Sequence, residues 1–203
     1  MNKIVCGALD LEMLPGISQI VCLDETESTQ AVARELALEG CAEKTLVLAE
    51  TQAAGRGRQG REWESPRGGL YMTLLLRPET GVRFLPDLSE LTGEVAAEAL
   101  TALYGIKTRV KKPNDVYAFH PRRKKWLKIC GILTEAASVA GSSDWLLLGL
   151  GVNLNSSLEL ETAVSVRDLL KKEVSREEFL SGFFRLFWLR YASWEYASRA
   201  KSS

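Results

Sequence analysis

The sequence predicts an α+β fold in which a mixed, largely antiparallel β-sheet is covered by helices on one face. Three observations predict it. β-type segments dominate the middle of the chain and are joined by turn signals too short to hold crossover helices. Stretches with helical spacing stand before and after that run. The 203 residues, 46% of them hydrophobic, suffice for one substantial core, which favours a single domain over residues 1–203.

The elements follow in order. Ile20–Leu23 reads as a short strand. Ser28 or Thr29 offers a hydroxyl cap to a helix running to about Glu39, where Gly40 ends it. Thr45–Glu50, with the apolar run Leu46–Ala49, is continuous enough to read as a strand buried on both faces; Gly69–Leu76 is another strand. Leu88, Leu91, Val95, Ala99 and Leu103 recur at helical spacing up to Gly105. Lys107–Lys111, Val116–Ala118, Trp126–Ala137 and Trp145–Gly151 read as strands, with turns at His120–Arg123 and Ala140–Ser143. A short helix near Val166–Lys171 and a longer one from about Arg176 to Ala197 close the chain. The aromatic segment Phe179–Tyr191 carries Arg185 and Arg190 and is too short to span a bilayer, so it is read as packing on the core.

Composition removes several classes. Twenty-six basic residues balance 26 acidic ones, which leaves no global field to hold a polyanion. Cys6, Cys22, Cys41 and Cys130 lack any Cys-x-x-Cys spacing, against both a zinc cage and a secreted disulfide framework, and read as reduced thiols of a cytoplasmic protein. Asp10 and Glu12 interrupt anything resembling a signal peptide, and the sequon Asn155–Ser157 then reads as coincidence.

The densest chemical signal is Gly55-Arg-Gly-Arg-Gln-Gly-Arg61, followed by Glu62, Trp63 and Ser65-Pro66. Glycine lets backbone N–H groups approach an anion, and guanidinium forks bind phosphate or carboxylate in a bidentate way. The spacing Gly55-x-Gly57-x-x-Gly60 imitates a dinucleotide fingerprint, but Pro66 and the strand that follows do not supply the required helix. No Gly-Lys-Ser/Thr completes a Walker loop. Three further segments stand out: Lys111–Asp115, Lys128–Gly131 and Gly149–Asn153. Taken singly, each has a plain structural reading as a turn, a solvated lysine or a strand bulge.

Taken together, in matching order over about Ile20 to Leu170, these segments resemble the biotin protein ligase family. The resemblance rests on Ser28-Thr29-Gln30, Gly55 to Trp63 with Ser65-Pro66, Lys111-Lys112-Pro113-Asn114-Asp115, Lys128-Ile-Cys-Gly131-Ile-Leu133 and Gly149-Leu-Gly151-Val-Asn153. It implies a class II aminoacyl-tRNA synthetase-like catalytic domain that forms biotinyl-5′-AMP from biotin and ATP with Mg2+. Biotin then passes to a lysine of a biotin carboxyl carrier domain. Carried over residue by residue, Ser28, Thr29, Gln30 and Gln52 meet the ureido head of biotin. Arg56, Gly57 and Arg58 lie over the acyl phosphate, and Gly131, Gly149 and Gly151 allow close approach of the substrate. Lys128 contacts the carboxylate end and, with Arg58, Lys111 and Asp115, forms the catalytic group. Arg61, Trp63, Asn114 and Asn153 join Arg58 and Lys128 on the nucleotide side, with Trp63 near adenine, and Asp115 is the metal candidate.

The match departs in places. Lys112 stands where the family usually has Trp, which implies a more polar wall beside biotin. The 27 residues before Ser28 are too few for the winged helix-turn-helix of repressor-type members, so no DNA partner is expected. A C-terminal SH3-like barrel is apparently absent. No membrane partner is expected, and a homodimer through sheet edges is possible. A lipoate- or octanoate-type ligase or transferase of the same fold, and a non-catalytic module that binds biotin or its adenylate, stay open as alternatives.

Overall fold

The computed structural model of the chain describes residues 11–79, 84–139, 142–158 and 160–201. Strand β1 (Gln19–Thr26) leads into helix α1 (Thr29–Leu38), which Ser28 caps from an extended backbone by accepting a hydrogen bond from the Gln30 N–H. Strands β2 (Thr45–Gln52) and β3 (Leu70–Leu76) follow, separated by a single 3-10 turn at Arg58–Gly60. Helix α2 (Leu85–Tyr104) ends at Gly105, whose left-handed φ of 65° closes the last turn on Thr101 O. Strands β4 (Thr108–Lys111), β5 (Asp115–His120), β6 (Lys125–Val139) and β7 (Ser142–Val152) are successive hairpin partners. Helices α3 (Val166–Leu170) and α4 (Arg176–Ala200) complete the order.

The seven strands form one sheet in the order β1-β2-β3-β7-β6-β5-β4. Only β1 and β2 run parallel; every other neighbouring pair is antiparallel. Every predicted element is present; most strand ends extend by one to three residues, because ladder pairing continues past the apolar stretch that marks a strand in sequence, while β3 and β4 begin one residue later than expected. The predicted turn at Ala140–Ser143 falls partly outside the described residues.

The helices divide unequally between the two faces. α2 and α4 cover one face, where Leu46, Leu48, Met72, Leu74, Leu148 and Leu150 meet Leu88, Val95, Phe179, Phe183, Phe184 and Phe187. Adjacent rings along α4 stack, with Phe183 and Phe187 centroids 5.6 Å apart, so the aromatic segment is core. No helix among the described residues is long and apolar enough to cross a membrane. The opposite face, expected to be bare, carries α1: Val32, Ala33 and Ala37 pack on Val21, Val47, Leu75 and Leu147. The reason lies in β2 and β3, whose successive side chains are buried on alternate sides and so require a cover on both.

α1 rests on β2, β3, β7 and the neighbouring β1, so the part of this face towards β6, β5 and β4 is left for the site described below. Cys41 and Cys130 are free thiols, and Cys6 lies outside the described residues.

Phe183 is fully buried, whereas Leu189 on the same helix is 73% exposed. Phe183→Ala is expected to lower the unfolding free energy by about 4 kcal/mol and Leu189→Ala by less than about 0.5 kcal/mol, measured by urea denaturation.

Candidate active site

The cavity begins where α1 begins. The extended backbone at Ser28 turns the first residues of the helix inward, so Thr29 and Gln30 point their side chains at the sheet, where both are buried. Gln52, the last residue of β2, accepts hydrogen bonds at Oε1 from Thr29 N (2.8 Å) and Thr29 Oγ1 (3.1 Å). Its Nε2 donates to Ser65 Oγ at 2.8 Å, and Ser65 Oγ donates in turn to Trp63 O at 3.0 Å. One amide side chain therefore ties the start of α1 to the returning arm of the arginine-glycine loop. Thr73 Oγ1 stands 2.9 Å from Thr29 Oγ1 and 3.0 Å from Gln30 Oε1, its single proton serving two acceptors, while Gln30 Nε2 donates to Leu133 O.

The floor is made of backbone. Gly131 of β6 is the register partner of Gly151 of β7, and Gly149 pairs with Leu133. A Cβ on Gly131 would lie 2.8 Å from the Trp63 ring and one on Gly151 2.6 Å from it; on Gly149 it would meet Gln30 Oε1 at 2.7 Å. Trp63 thus lies against two glycines, with Lys128 Nζ 5.1 Å from its ring centroid. Its indole Nε1 is buried and has no hydrogen-bond partner in the protein. A buried donor without an acceptor is costly, and the cost falls when a ligand oxygen supplies one.

Cations gather at the other end. Lys128 forms an ion pair with Asp115 at 2.6 Å, across the β5–β6 pairing. Asn114 is fixed to β6 by two bonds with the Ile132 backbone, each 2.9 Å, and its Oδ1 accepts from Arg58 Nη1 at 3.4 Å. Arg58 opens the 3-10 turn of the loop, in which Gln59 adopts φ 59° and the Gly57 N–H donates to Arg61 O at 2.7 Å. Lys112 ion-pairs with Glu90 of α2, so the substitution for Trp adds a lysine whose charge is matched from the neighbouring helix. Behind the floor, burial pushes the Cys130 thiol well above its ordinary range despite the opposing influence of Lys128. That keeps it protonated and removes it as a nucleophile.

These groups line one cavity of about 440 Å³. Ser28, Thr29, Gln30, Gln52 and Thr73 give it a neutral polar end; Arg56, Arg58, Arg61, Lys111 and Lys128 give it a cationic end. Of the residues given a site role from the sequence, Asn153 alone does not line the cavity. It lies beyond β7, its N–H bonded to Ile129 O and its carbonyl to Val166 N–H, so it organises the strand end and the start of α3. Trp63 lies on the floor at Gly131 and Gly151. The sequence reading passed over Thr73, although a lone hydroxyl within Leu70–Leu76 was a visible signal.

Residues 22–153 match the model of the biotin/lipoate A/B protein ligase family. A biotin–[acetyl-CoA-carboxylase] ligase of Paracoccus denitrificans is 35% identical over 167 residues, covering 78% of this chain and 67% of that protein. The bifunctional ligase/repressor BirA of Bacillus spizizenii is 36% identical over 137 residues, which is 67% of this chain but 40% of the relative. This chain therefore spans well under two thirds of that relative's length. Among solved structures, the biotin protein ligase of Aquifex aeolicus in complex with biotin and ATP aligns with a TM-score of 0.74 and 29% identity, covering 90% of this chain and 74% of that one.

Thr73→Val keeps the shape of the side chain and removes the hydroxyl. It is expected to cost about 1–2 kcal/mol of stability in urea unfolding, since buried Thr29 and Gln30 each lose a partner.

Proposed function

This chain belongs to the biotin/lipoate A/B protein ligase family, and from that premise we propose that it is an ATP-dependent biotin protein ligase. It forms biotinyl-5′-AMP and then transfers biotin to a lysine of a biotin carboxyl carrier domain. The observation that carries the reading is the two-ended cavity, with uncharged hydrogen-bonding groups and a cationic cluster joined by a glycine floor. A ureido ring offers one acceptor and two donors, which suits the Ser28, Thr29, Gln30 and Thr73 end. Gly131 and Gly151 make room for the Trp63 ring and Gly149 for Gln30, so the valeryl arm would run beside these side chains towards Lys128.

In the first step a biotin carboxylate oxygen attacks the α-phosphorus of ATP, and pyrophosphate departs. Two anions must approach, and Lys128, Lys111, Arg56 and Arg58 offset their repulsion. The Lys128–Asp115 pair holds the ammonium in place before substrate arrives. The Trp63 N–H is placed to donate to an oxygen of the ligand. In the second step the acceptor amine attacks the acyl carbon, AMP leaves and the amine loses a proton. No protein nucleophile is needed. Arg61 and Asn114 stand on the nucleotide side.

No group of three His, Cys, Asp or Glu side chains able to hold a metal is found among the described residues. Mg2+ bound largely through phosphate oxygens and water, with Asp115 as a protein carboxylate, fits the residues present. When bound, Mg2+ would supply charge neutralisation on the phosphates. The reading carries with it a cytoplasmic location, where ATP is supplied.

The decisive experiment incubates the chain with biotin, ATP and Mg2+, follows biotinyl-AMP by mass, then adds an apo carrier domain. An adenylate made from lipoate or octanoate in preference to biotin would sink the assignment, as would ligand binding without pyrophosphate release. Lys128→Ala is expected to slow adenylate formation roughly 100-fold, about 3 kcal/mol in the barrier, in single-turnover measurements.

A further inference from the structure

The cavity occupies only part of the open sheet face. Beyond it, towards β4, burial along β5 alternates: Val116 and Ala118 face α2, while Tyr117 and Phe119 share the cavity side with Asp115 and are half-buried. Tyr117 pairs with Arg109 and Lys128, and Phe119 with Trp126. Cations lie on these rings. The Arg109 guanidinium is 4.5 Å from the Trp126 centroid and 5.9 Å from that of Tyr117. Lys107 is 5.7 Å from Phe119, and Lys111 is 5.6 Å from Tyr117.

Residues 107–128 carry nine Lys and Arg side chains and one carboxylate, Asp115, in a chain whose 26 basic residues balance 26 acidic ones. Residues 121–125, the turn and the first residue of β6, are all exposed. Charge absent from the molecule as a whole is thus concentrated on one hairpin-rich strip that starts inside the cavity, at Lys111 and Lys128, and runs outward to that turn.

We propose that this strip is the docking surface for an acidic face of the protein that delivers the acceptor lysine; the proposal rests on the ligase reading above. A folded acceptor cannot enter the cavity, so it must find its grip on surface continuous with it. Each ring is already occupied by a cation of this chain, so the rings are not free platforms for nucleobases, which favours a protein partner over a nucleic acid. The rings hold the cations in place, and a held cation loses less side-chain freedom when a carboxylate arrives. A field of one sign also steers an oppositely charged partner and makes association sensitive to salt.

The test uses the full chain, an acidic apo biotin carboxyl carrier domain, and the triple variant Arg109→Glu/Arg122→Glu/Lys125→Glu, whose positions lie outside the proposed catalytic group. The parent and the variant should make biotinyl-AMP at equal rates. The variant's KM for the carrier should rise roughly tenfold or more at low ionic strength, with kcat retained. A carrier whose acidic face is replaced by lysines should restore transfer by the variant and lose it with the parent. Equal KM values for parent and variant would overturn the docking assignment, and so would strip-dependent binding of a single-stranded oligonucleotide with no change towards the carrier. Carrier binding followed by fluorescence anisotropy separates the two readings. If the parent makes no adenylate yet binds the acidic carrier through the strip, the ligase reading falls and the surface stands; if it makes adenylate and the variant binds the carrier as well as the parent, the reverse holds.

Discussion

The site depends on three missing side chains. Gly131, Gly149 and Gly151 stand on adjacent antiparallel strands, and the ladder holds two of them side by side. A methyl group at any of the three would strike Trp63 or Gln30. The glycines weaken the strands locally, since each loses more backbone freedom on folding than a residue with a side chain. What they gain is a shelf on which an aromatic ring already lies flat. The sheet can tolerate that shelf because its other face, packed by α2 and α4, is continuously apolar beneath it.

Around that shelf the chemistry separates by charge. The hydroxyl and amide groups at the start of α1 satisfy one another through Gln52 and Thr73, so their geometry is fixed before any ligand enters. The cationic end is held by different means. An ion pair positions Lys128, a backbone-anchored amide positions Arg58, and a helix carboxylate receives Lys112. The first group offers uncharged donors and acceptors, the second offers positive charge, and the arginine-glycine loop belongs to both through its link from Trp63 O to Ser65 and Gln52.

Much of this was legible in the residues. Helix starts were readable because Ser28 and Gly105 act locally, through a hydroxyl and a left-handed backbone. The glycines and cations were readable only as an ordered set, since each alone also serves as a turn, a solvated lysine or a strand bulge. Three things were not. That α1 would cover the second face depends on which strands lie next to one another, which an apolar run such as Leu46–Ala49 does not state. The place of Asn153 depends on where β7 ends relative to α3, a matter of one backbone pairing. The hydroxyl of Thr73 stands out in an apolar strand, but its meaning appears only when β3 and the first turn of α1 are seen to touch.

The pairing of Lys112 with Glu90 ties a rim of the cavity to a helix whose main business is the hydrophobic core on the far side of the sheet. Ser89, the neighbour of Glu90, reaches Thr134 of β6 at 2.8 Å and so tethers that same helix turn to a strand that also forms the cavity floor. The width of the opening is thereby linked to the seating of α2. Small adjustments in how the helix rests on its bed of leucines would be transmitted to the rim, and sequence drift on a surface turn remote from any reactant could retune which guests the chamber admits.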